Sequence, residues 1–594
     1  MKGTAEPRAI RVAVGLARYR AGRYLVGGLF WIAWWSLPAL VGLVLKAAFD
    51  AISGDAPAGL DAGSLIGVLL AVEAARLGIF FAAFPLWARW WAAGQALLRT
   101  NLLRSQVSSG GNGAGAPVRS AGAAIAVFRD DAEDFVKFVD SWVDLAGAVV
   151  FAIFALVVMV RIDAVLALVV GLPLVIVFAV TRALADRVRR TRRADREATA
   201  RVTGFLGDVF SAVLAVKVAG AEERTVARLR QLNAARGRTA LHDRVLADSL
   251  DAASGSTVDV GIGVVLLLAA GSMRAGEFTV GDLALFASYV SWLAGLPRIA
   301  GLVLTRHRHA EVAARRMAAM LPRNDETEAV VPRRLRLGAP VVIAERPRPH
   351  RPAPADVRLS GFGVRHAGGG GIRGVDLHLP AGSFTVVCGT VGGGKTTLLR
   401  GLLGLAGPAE GTVRWDGAVV DDLAAHTVPP NCAYVPQAPR LFSATLRQNL
   451  LLGRAAAPGE VGSALHTAAF DADVAAMPDG LETVIGPRGV RLSGGQLQRA
   501  AAARALVADA ALLVLDDLSS ALDAATEQRL WSRLLAPRPG AGSPPTVLVV
   551  SHRAAALAHA DQVVVVEDGR VRAIGTLAAL RADGIDPLGR AAAG

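Results

Sequence analysis

The chain has 594 residues, enough for two or three domains, and 53% of them are hydrophobic, a fraction too high for a purely soluble protein. Its formal net charge of +14 could suit nucleic acid, but no stretch interleaves basic residues with stacking aromatics, so a nucleic-acid partner is set aside. Only two cysteines occur, Cys388 and Cys432, too few for a disulfide framework or a cysteine-rich zinc site, and they read as small buried hydrophobes in a reducing cytosol.

The first element, YLVGGLFWIAWWSLPALVGLVL at residues 24 to 45, is a charge-free run of membrane-spanning length holding Trp31, Trp34 and Trp35. It is long for a signal peptide and lacks a small-residue cleavage site, so it reads as a retained span. Further spans are expected at residues 64 to 91, 143 to 160, 164 to 184, 256 to 273 and 280 to 304, which makes six. Glu73 and Arg76, three residues apart in the second span, are either a mutually neutralising pair or a substrate-facing group. Asp251 and Asp259 either line a polar inner vestibule or sit at its cytoplasmic edge. The aromatic clusters at residues 31 to 35 and 87 to 91 read as interface anchors.

Charge sets the orientation. Arg8, Arg11, Arg18, Arg20 and Arg23 precede the first span, and Arg187, Arg189, Arg190, Arg192, Arg193 and Arg196 follow the fourth, whereas KAAFDAISGDAPAGLDAG is mildly acidic. By the positive-inside rule the N-terminus is cytosolic, and six spans return the C-terminal half to the cytosol. The stretch FLGDVFSAVLAVKVAGAEERTVARLRQLNAARGRTALHDRVL carries apolar residues at three- and four-residue spacing and predicts one long amphipathic helix extending from the membrane. These segments form a transmembrane domain over residues 1 to 305, and the arginine-, proline- and histidine-rich residues 306 to 356 read as a linker. Over residues 357 to 594, short β-branched runs such as SFTVVCG, ALLVLDD and TVLVVSH alternate with helical ones, which predicts an α/β domain with a largely parallel core sheet.

The segment from Gly389 to Thr396, GTVGGGKT, fits the P-loop pattern and has its required context, a strand before and a helix after. Glycines such as Gly389, Gly392 and Gly394 let successive N–H groups converge on phosphates. Lys395 is placed to contact the β- and γ-phosphates, and Thr396 to ligate Mg²⁺. Downstream come Gln437 in YVPQAPRLFSATLRQNLLLG, RLSGGQLQR with Ser493, Gly494, Gly495 and Gln496, LLVLD ending at Asp516, SALD ending at Asp523, and His552 in VLVVSHR.

In this order, P-loop, glutamine loop, LSGGQ, Walker B, SALD and switch histidine resemble the nucleotide-binding domain of ATP-binding cassette (ABC) transporters. The six spans fused ahead of it resemble the half-transporters of the type IV exporter fold. The resemblance implies a multi-domain chain, an all-α six-helix transmembrane domain followed by an α/β P-loop domain, in a bacterial cytoplasmic membrane. It implies a dimer with a second half-transporter, a lipid bilayer around it, and an unidentified transported substrate. ATP would be held by the P-loop residues, Thr397 among them, and by Ser493, Gly494, Gly495, Gln496 and Asp523 of the opposite subunit. Mg²⁺ would be held by Thr396, Gln437 and Asp516, while Gln437 and His552 would act beside the residue after Asp516 in hydrolysis.

The chain departs from that family where a glutamate usually follows Asp516, for it has Asp517, whose stem is one methylene shorter. Slower hydrolysis is expected, in either an active homodimer or a heterodimer with one slow site. A regulatory ATP-binding subunit and an importer of a metal chelate on the same scaffold stay open. His366 stands where an aromatic normally stacks on adenine, and Pro487 where a glutamate is common.

Overall fold

The computed structural model describes residues 8–54, 60–108, 121–274, 277–335, 337–338, 353–365, 370–407, 409–486, 490–536 and 544–587. It divides into two compact units, Met1–Leu103 with Ala116–Leu335, and Arg104–Gly115 with Arg336–Gly594.

The first unit is helical. Helix α1 (Arg8–Arg18) buries Ala9, Val12, Ala13 and Leu16, a three- and four-residue spacing that puts one apolar stripe inward and leaves its arginines at the surface. The first span is two helices, α2 (Ala21–Ser36) and α3 (Pro38–Ser53). Pro38 has no N–H to give the Trp34 carbonyl four residues back, and just before it the Ser36 hydroxyl donates to the Ile32 carbonyl at 2.7 Å. Then follow α4 (Ala62–Ser108), α5 (Ala121–Ala126) and α6 (Ala132–Ile162). Asp163 turns the chain and caps α7 (Ala164–Ser211) by accepting from the Val165 and Leu166 N–H groups at 2.8 and 3.0 Å. Helices α8 (Val213–Val218), α9 (Glu222–Arg274), α10 (Val280–Leu293) and α11 (Leu296–Ala319) complete the set. Helix α7 packs on α9, α3 on α10, and α6 on both α2 and α11.

Each expected span falls within these helices. Among the described residues, Ala21–Ser53, Ala62–Val107, Ala124–Ile162 and Val280–Ala319 are long and apolar enough to cross a membrane, and Ile262–Arg274 is a shorter apolar stretch at the end of α9. Three local readings differ from the structure. The long amphipathic helix is interrupted: Gly220, at φ +57, breaks it between α8 and α9. Trp87 and Trp90 are buried against Tyr24, with ring centroids 5.5 and 4.9 Å from it, so they are core rather than interface residues. The arginine-rich stretch up to Ala319 is helical, because Ala310, Ala313, Ala314 and Met317 share a buried face that the surrounding charges obscure. Beyond it the chain is pinned to the helices: Asn101 donates to the Ala329 and Val331 carbonyls at 2.9 and 3.0 Å, and Arg333 donates to Asn101 at 2.6 Å.

The second unit contains two main sheets. Strands β1 (Val357–Arg365), β2 (Gly371–Leu379), β4 (Ala409–Trp415) and β5 (Ala418–Val419) make an antiparallel sheet of order β2-β1-β4-β5. Strands β3 (Phe384–Gly389), β6 (Cys432–Val435), β9 (Leu512–Asp516), β10 (Thr546–Val550), β11 (Gln562–Glu567) and β12 (Arg570–Gly575) make the second, of order β12-β11-β3-β10-β9-β6. Its five inner-to-edge strands β11 to β6 are parallel, and only β12 is antiparallel. A two-stranded ribbon pairs β7 (Ala444–Thr445) with β8 (Val484–Ile485).

Side-chain alternation makes this sheet a central layer. Val387, Val514 and Leu548 enter one core with Leu359, Val364 and Leu398, while Val386, Leu513 and Val549 enter the other with Phe470 and Trp531. Both faces are buried, so the strands read as unbroken apolar runs, each buried Val or Leu contributing about 1.5–3 kcal/mol. Cys388 and Cys432 are free and buried as expected, and burial pushes the Cys388 thiol up to about 12.

Candidate functional site

The parallel strands deliver their chemistry at their carboxyl ends. Strand β3 ends at Gly389, β9 at Asp516 and β10 just before Ser551 and His552, and Gln437 follows β6. Gly389 has φ +130, and a Cβ there would collide with the Val566 carbonyl oxygen, so only glycine lets the loop leave the strand. Gly394, at φ +103, turns it into α12 (Lys395–Leu402), whose first turn holds Thr396 and Thr397; Gly392 lies between these glycines.

Lys395 is nearly buried, and its ammonium donates to the Gly389 and Thr390 carbonyls at 3.0 and 2.7 Å. Burial pushes its pKa down, while the Cys388, Asp516 and Asp517 groups act the other way. The Thr396 hydroxyl donates to an Asp516 carboxylate oxygen at 3.2 Å, and the Tyr434 hydroxyl donates to the other at 3.4 Å. Asp516 is 1% exposed, and this burial raises its pKa above the usual carboxylate range. Asp517 sits in the left-handed region at φ +53, its N–H donating to the Val550 carbonyl at 3.0 Å. Gln437 reaches the Asp517 carboxylate from the other side at 3.5 Å.

Ser493 begins the helix Gly494–Val507 with a reciprocal cap. Its hydroxyl accepts from the Gln496 N–H at 3.3 Å, and the Gln496 side chain accepts from the Ser493 N–H at 2.9 Å. The amide of Gln496 also donates to Asp473 at 3.0 Å, and Arg499, one turn on, donates to the same carboxylate at 2.7 and 3.2 Å. Gln498 ties this helix to the SALD turn by donating to Ser520 at 2.7 Å and accepting from the Ala521 N–H at 3.0 Å. Gln437, Gly494, Gln498 and Ala521 line one open groove.

Asp523 has a local role, capping the helix Ala524–Leu535 by accepting from the Thr526 N–H at 2.9 Å, which lowers its pKa. His552 is exposed. Its neighbour Arg553 donates to the Ser520 and Leu522 carbonyls at 3.0 and 2.9 Å and to the buried Glu527 at 3.2 Å, latching the switch segment to the SALD turn. Tyr434, Asp473, Gln498 and Arg553 were absent from the sequence reading. Tyr434 opens the glutamine-loop segment, and Gln498 and Arg553 lie inside the signature and switch segments, whereas nothing local marks Asp473, 23 positions from its partner Gln496. His366 and Pro487 lie outside the described residues, as do the side chains of Asp251 and Asp259.

Family models for the ABC transporter and for the ABC transporter transmembrane region match residues 372–520 and 116–296. The chain is similar to the mycobactin import ATP-binding/permease protein IrtB of Mycolicibacterium thermoresistibile, 37% identical over 313 residues. That match covers 50% of this chain and 52% of the relative, so the chain spans about half of that protein's length. An ATP-dependent lipid A-core flippase of Chromobacterium violaceum is 29% identical over 423 residues, 69% of this chain and 68% of the flippase. A solved bacterial Atm1-family ABC exporter with ATP bound shares the fold at a TM-score of 0.71, over 94% of this chain and 96% of the other, with 23% identity. The two family matches lie in tandem on one chain, which belongs to the ABC transporters that fuse a transmembrane region to a nucleotide-binding domain.

Proposed function

We propose that the chain is a half-transporter that dimerises, binds and hydrolyses ATP, and moves a substrate outward across a cytoplasmic membrane. The observation that carries this reading is the hydrogen bond from Thr396 to Asp516 at 3.2 Å beneath the glycine loop that holds Lys395. The oxygens fit a magnesium ion: hydroxyl and carboxylate are hard donors, and the buried Asp516 charge, unfavourable alone, is relieved beside a cation. Thr396 and Asp516, with Gln437, would hold it, and there it would supply positive charge to offset the charge developing on the phosphate.

The protein's own groups supply the rest. The loop N–H groups and the N-terminus of α12 bind the phosphates, and Lys395 moves from its two carbonyl partners to phosphate oxygens. Asp517 accepts a hydrogen bond from the attacking water, Gln437 orients that water, and His552 contacts the γ-phosphate. The capped Ser493 turn, with Gly494 and Gly495, faces outward to close the phosphate cage of a second chain. Two copies therefore complete two sites.

Outward transport agrees with the flippase relative and the exporter-fold neighbour. Import is the second reading, favoured by the relative whose name specifies mycobactin import. The test is Mg²⁺-dependent ATP hydrolysis by the purified chain in lipid nanodiscs, with Lys395→Ala as blank. Hydrolysis well above the blank is expected, and retained ATP binding with no hydrolysis would leave the chain as a regulatory subunit of a heterodimer.

A further inference from the structure

Arg76 is a cation set deep in an apolar helix. It lies in the span Ala62–Val107, ~21 Å from Ala62 along the axis of α4 at 1.5 Å per residue. Its side chain is only 16% exposed. A charge at such depth is costly unless it faces protein and is compensated, and here the compensation is incomplete. The guanidinium carbon stands 4.6 Å from the Trp34 ring centroid on α2 and 5.1 Å from the Trp292 centroid on α10. Glu73 approaches no closer than 3.5 Å and is itself 48% exposed, so the pair falls short of a charge-assisted hydrogen bond. The Arg76 Nε is buried without a hydrogen-bond partner. Further rings extend the wall: Trp34 meets Trp31 and Trp35 edge-on at 5.6 and 5.5 Å, and Phe80, one turn along α4, meets Trp31 at 5.6 Å.

We propose that Arg76, Trp34 and Trp292 form a recognition site for an oxyanion, carboxylate or phosphate, carried on an apolar body, and that such amphiphilic anions are the substrates of the membrane unit. The proposal rests on the transport reading and names its substrate class. A guanidinium with unspent N–H donors takes two oxygens of one anion in a planar fork, and the indole faces take the attached apolar body. A cationic amphiphile meets repulsion there, and a neutral one leaves the donors unpaired. Glu73 is the competing, weakly held counter-ion that the ligand displaces. Trp34 thus serves the site rather than anchoring at the bilayer interface.

The test uses the full chain in nanodiscs of zwitterionic phosphatidylcholine and needs no ATP turnover. The probe is 11-(dansylamino)undecanoate, read by energy transfer from tryptophan, with dodecyl phosphate as competitor and dansylcadaverine as the cationic control. Saturable transfer that dodecyl phosphate displaces is expected, at least tenfold weaker in Arg76→Gln and at least threefold tighter in Glu73→Gln. The amine should give only the non-saturable bilayer signal. Unchanged affinity in Arg76→Gln, no tightening in Glu73→Gln, or saturable binding of the amine overturns the proposal; the Glu73 variant keeps the test alive should Arg76→Gln misfold. In phosphatidylglycerol nanodiscs, loss of probe binding identifies a lipid headgroup as the natural occupant, and retention identifies a soluble amphiphile. Probe binding without ATP hydrolysis would sink only the reading of this chain as a self-sufficient ATP-hydrolysing half-transporter, and hydrolysis without anion selectivity would sink only the anion site.

Discussion

Replacing Asp517 by glutamate tests whether the short carboxylate limits turnover. Asp517 is held by its backbone, with φ +53 and its N–H on the Val550 carbonyl at 3.0 Å, so a longer side chain extends from a fixed base. One added methylene advances the carboxylate by roughly 1 Å, and a displacement of that size at a reacting group can change the rate by up to about a hundredfold. Gln437, now 3.5 Å away at the edge of hydrogen bonding, gains a partner within normal reach. The gain has a structural cost, because aspartate tolerates the left-handed conformation through local hydrogen bonds of its short side chain, and glutamate loses up to about 1 kcal/mol there. Asp517→Glu should therefore hydrolyse ATP about tenfold faster and melt a few degrees lower. Phosphate release in nanodiscs, blanked by Lys395→Ala, and a thermal melt of the same sample measure both. Turnover equal to or below that of the unmodified chain, with ATP binding intact, would refute the reasoning and leave Asp517 outside the rate-limiting step.

Lys395→Ala should abolish hydrolysis, and an unchanged rate would remove the P-loop assignment. Asp516→Asn should raise the melting temperature of the nucleotide-free protein at neutral pH. The folded pKa of Asp516 is raised, so its stabilising contribution is complete below the unfolded value and is lost as pH rises through the folded one. The melting difference between Asn and Asp should vanish on acidification, and a difference independent of pH would contradict the burial argument. Asp473→Ala should free the Ser493 turn by removing the acceptor shared by Gln496 and Arg499, whose side chain is 13% exposed. About 1–3 kcal/mol of stability should be lost. Asp473→Asn, which keeps one acceptor, should restore part of the ATP affinity, and identical losses in the two variants would reduce Asp473 to a packing residue.

The glycine loop before α12 was legible because its conformation is set locally. A strand ending at Gly389 is followed within three residues by three consecutive glycines, a lysine and a threonine, and these residues dictate the backbone there, as φ +130 at Gly389 and +103 at Gly394 show. Asp516 was legible for a related reason: an apolar run that ends on a carboxylate marks a buried strand delivering one charge at its tip. The connections between motifs were not legible. Arg553 bridges to Ser520 and Glu527, and Asp473 to Gln496 and Arg499, through packing whose partners are fixed only when the helices assemble. Composition misled where it outweighed spacing, for the arginines and histidines before Ala319 suggested a linker although four apolar residues repeat at helical intervals beneath them. Arg76 shows the same division: its spacing from Glu73 was visible, and a sequence-local pair was the natural reading. The two indoles, Trp34 on α2 and Trp292 on α10, come from helices far from it along the chain. What its local partner leaves unsatisfied, rather than the pair itself, is the feature that points to a ligand.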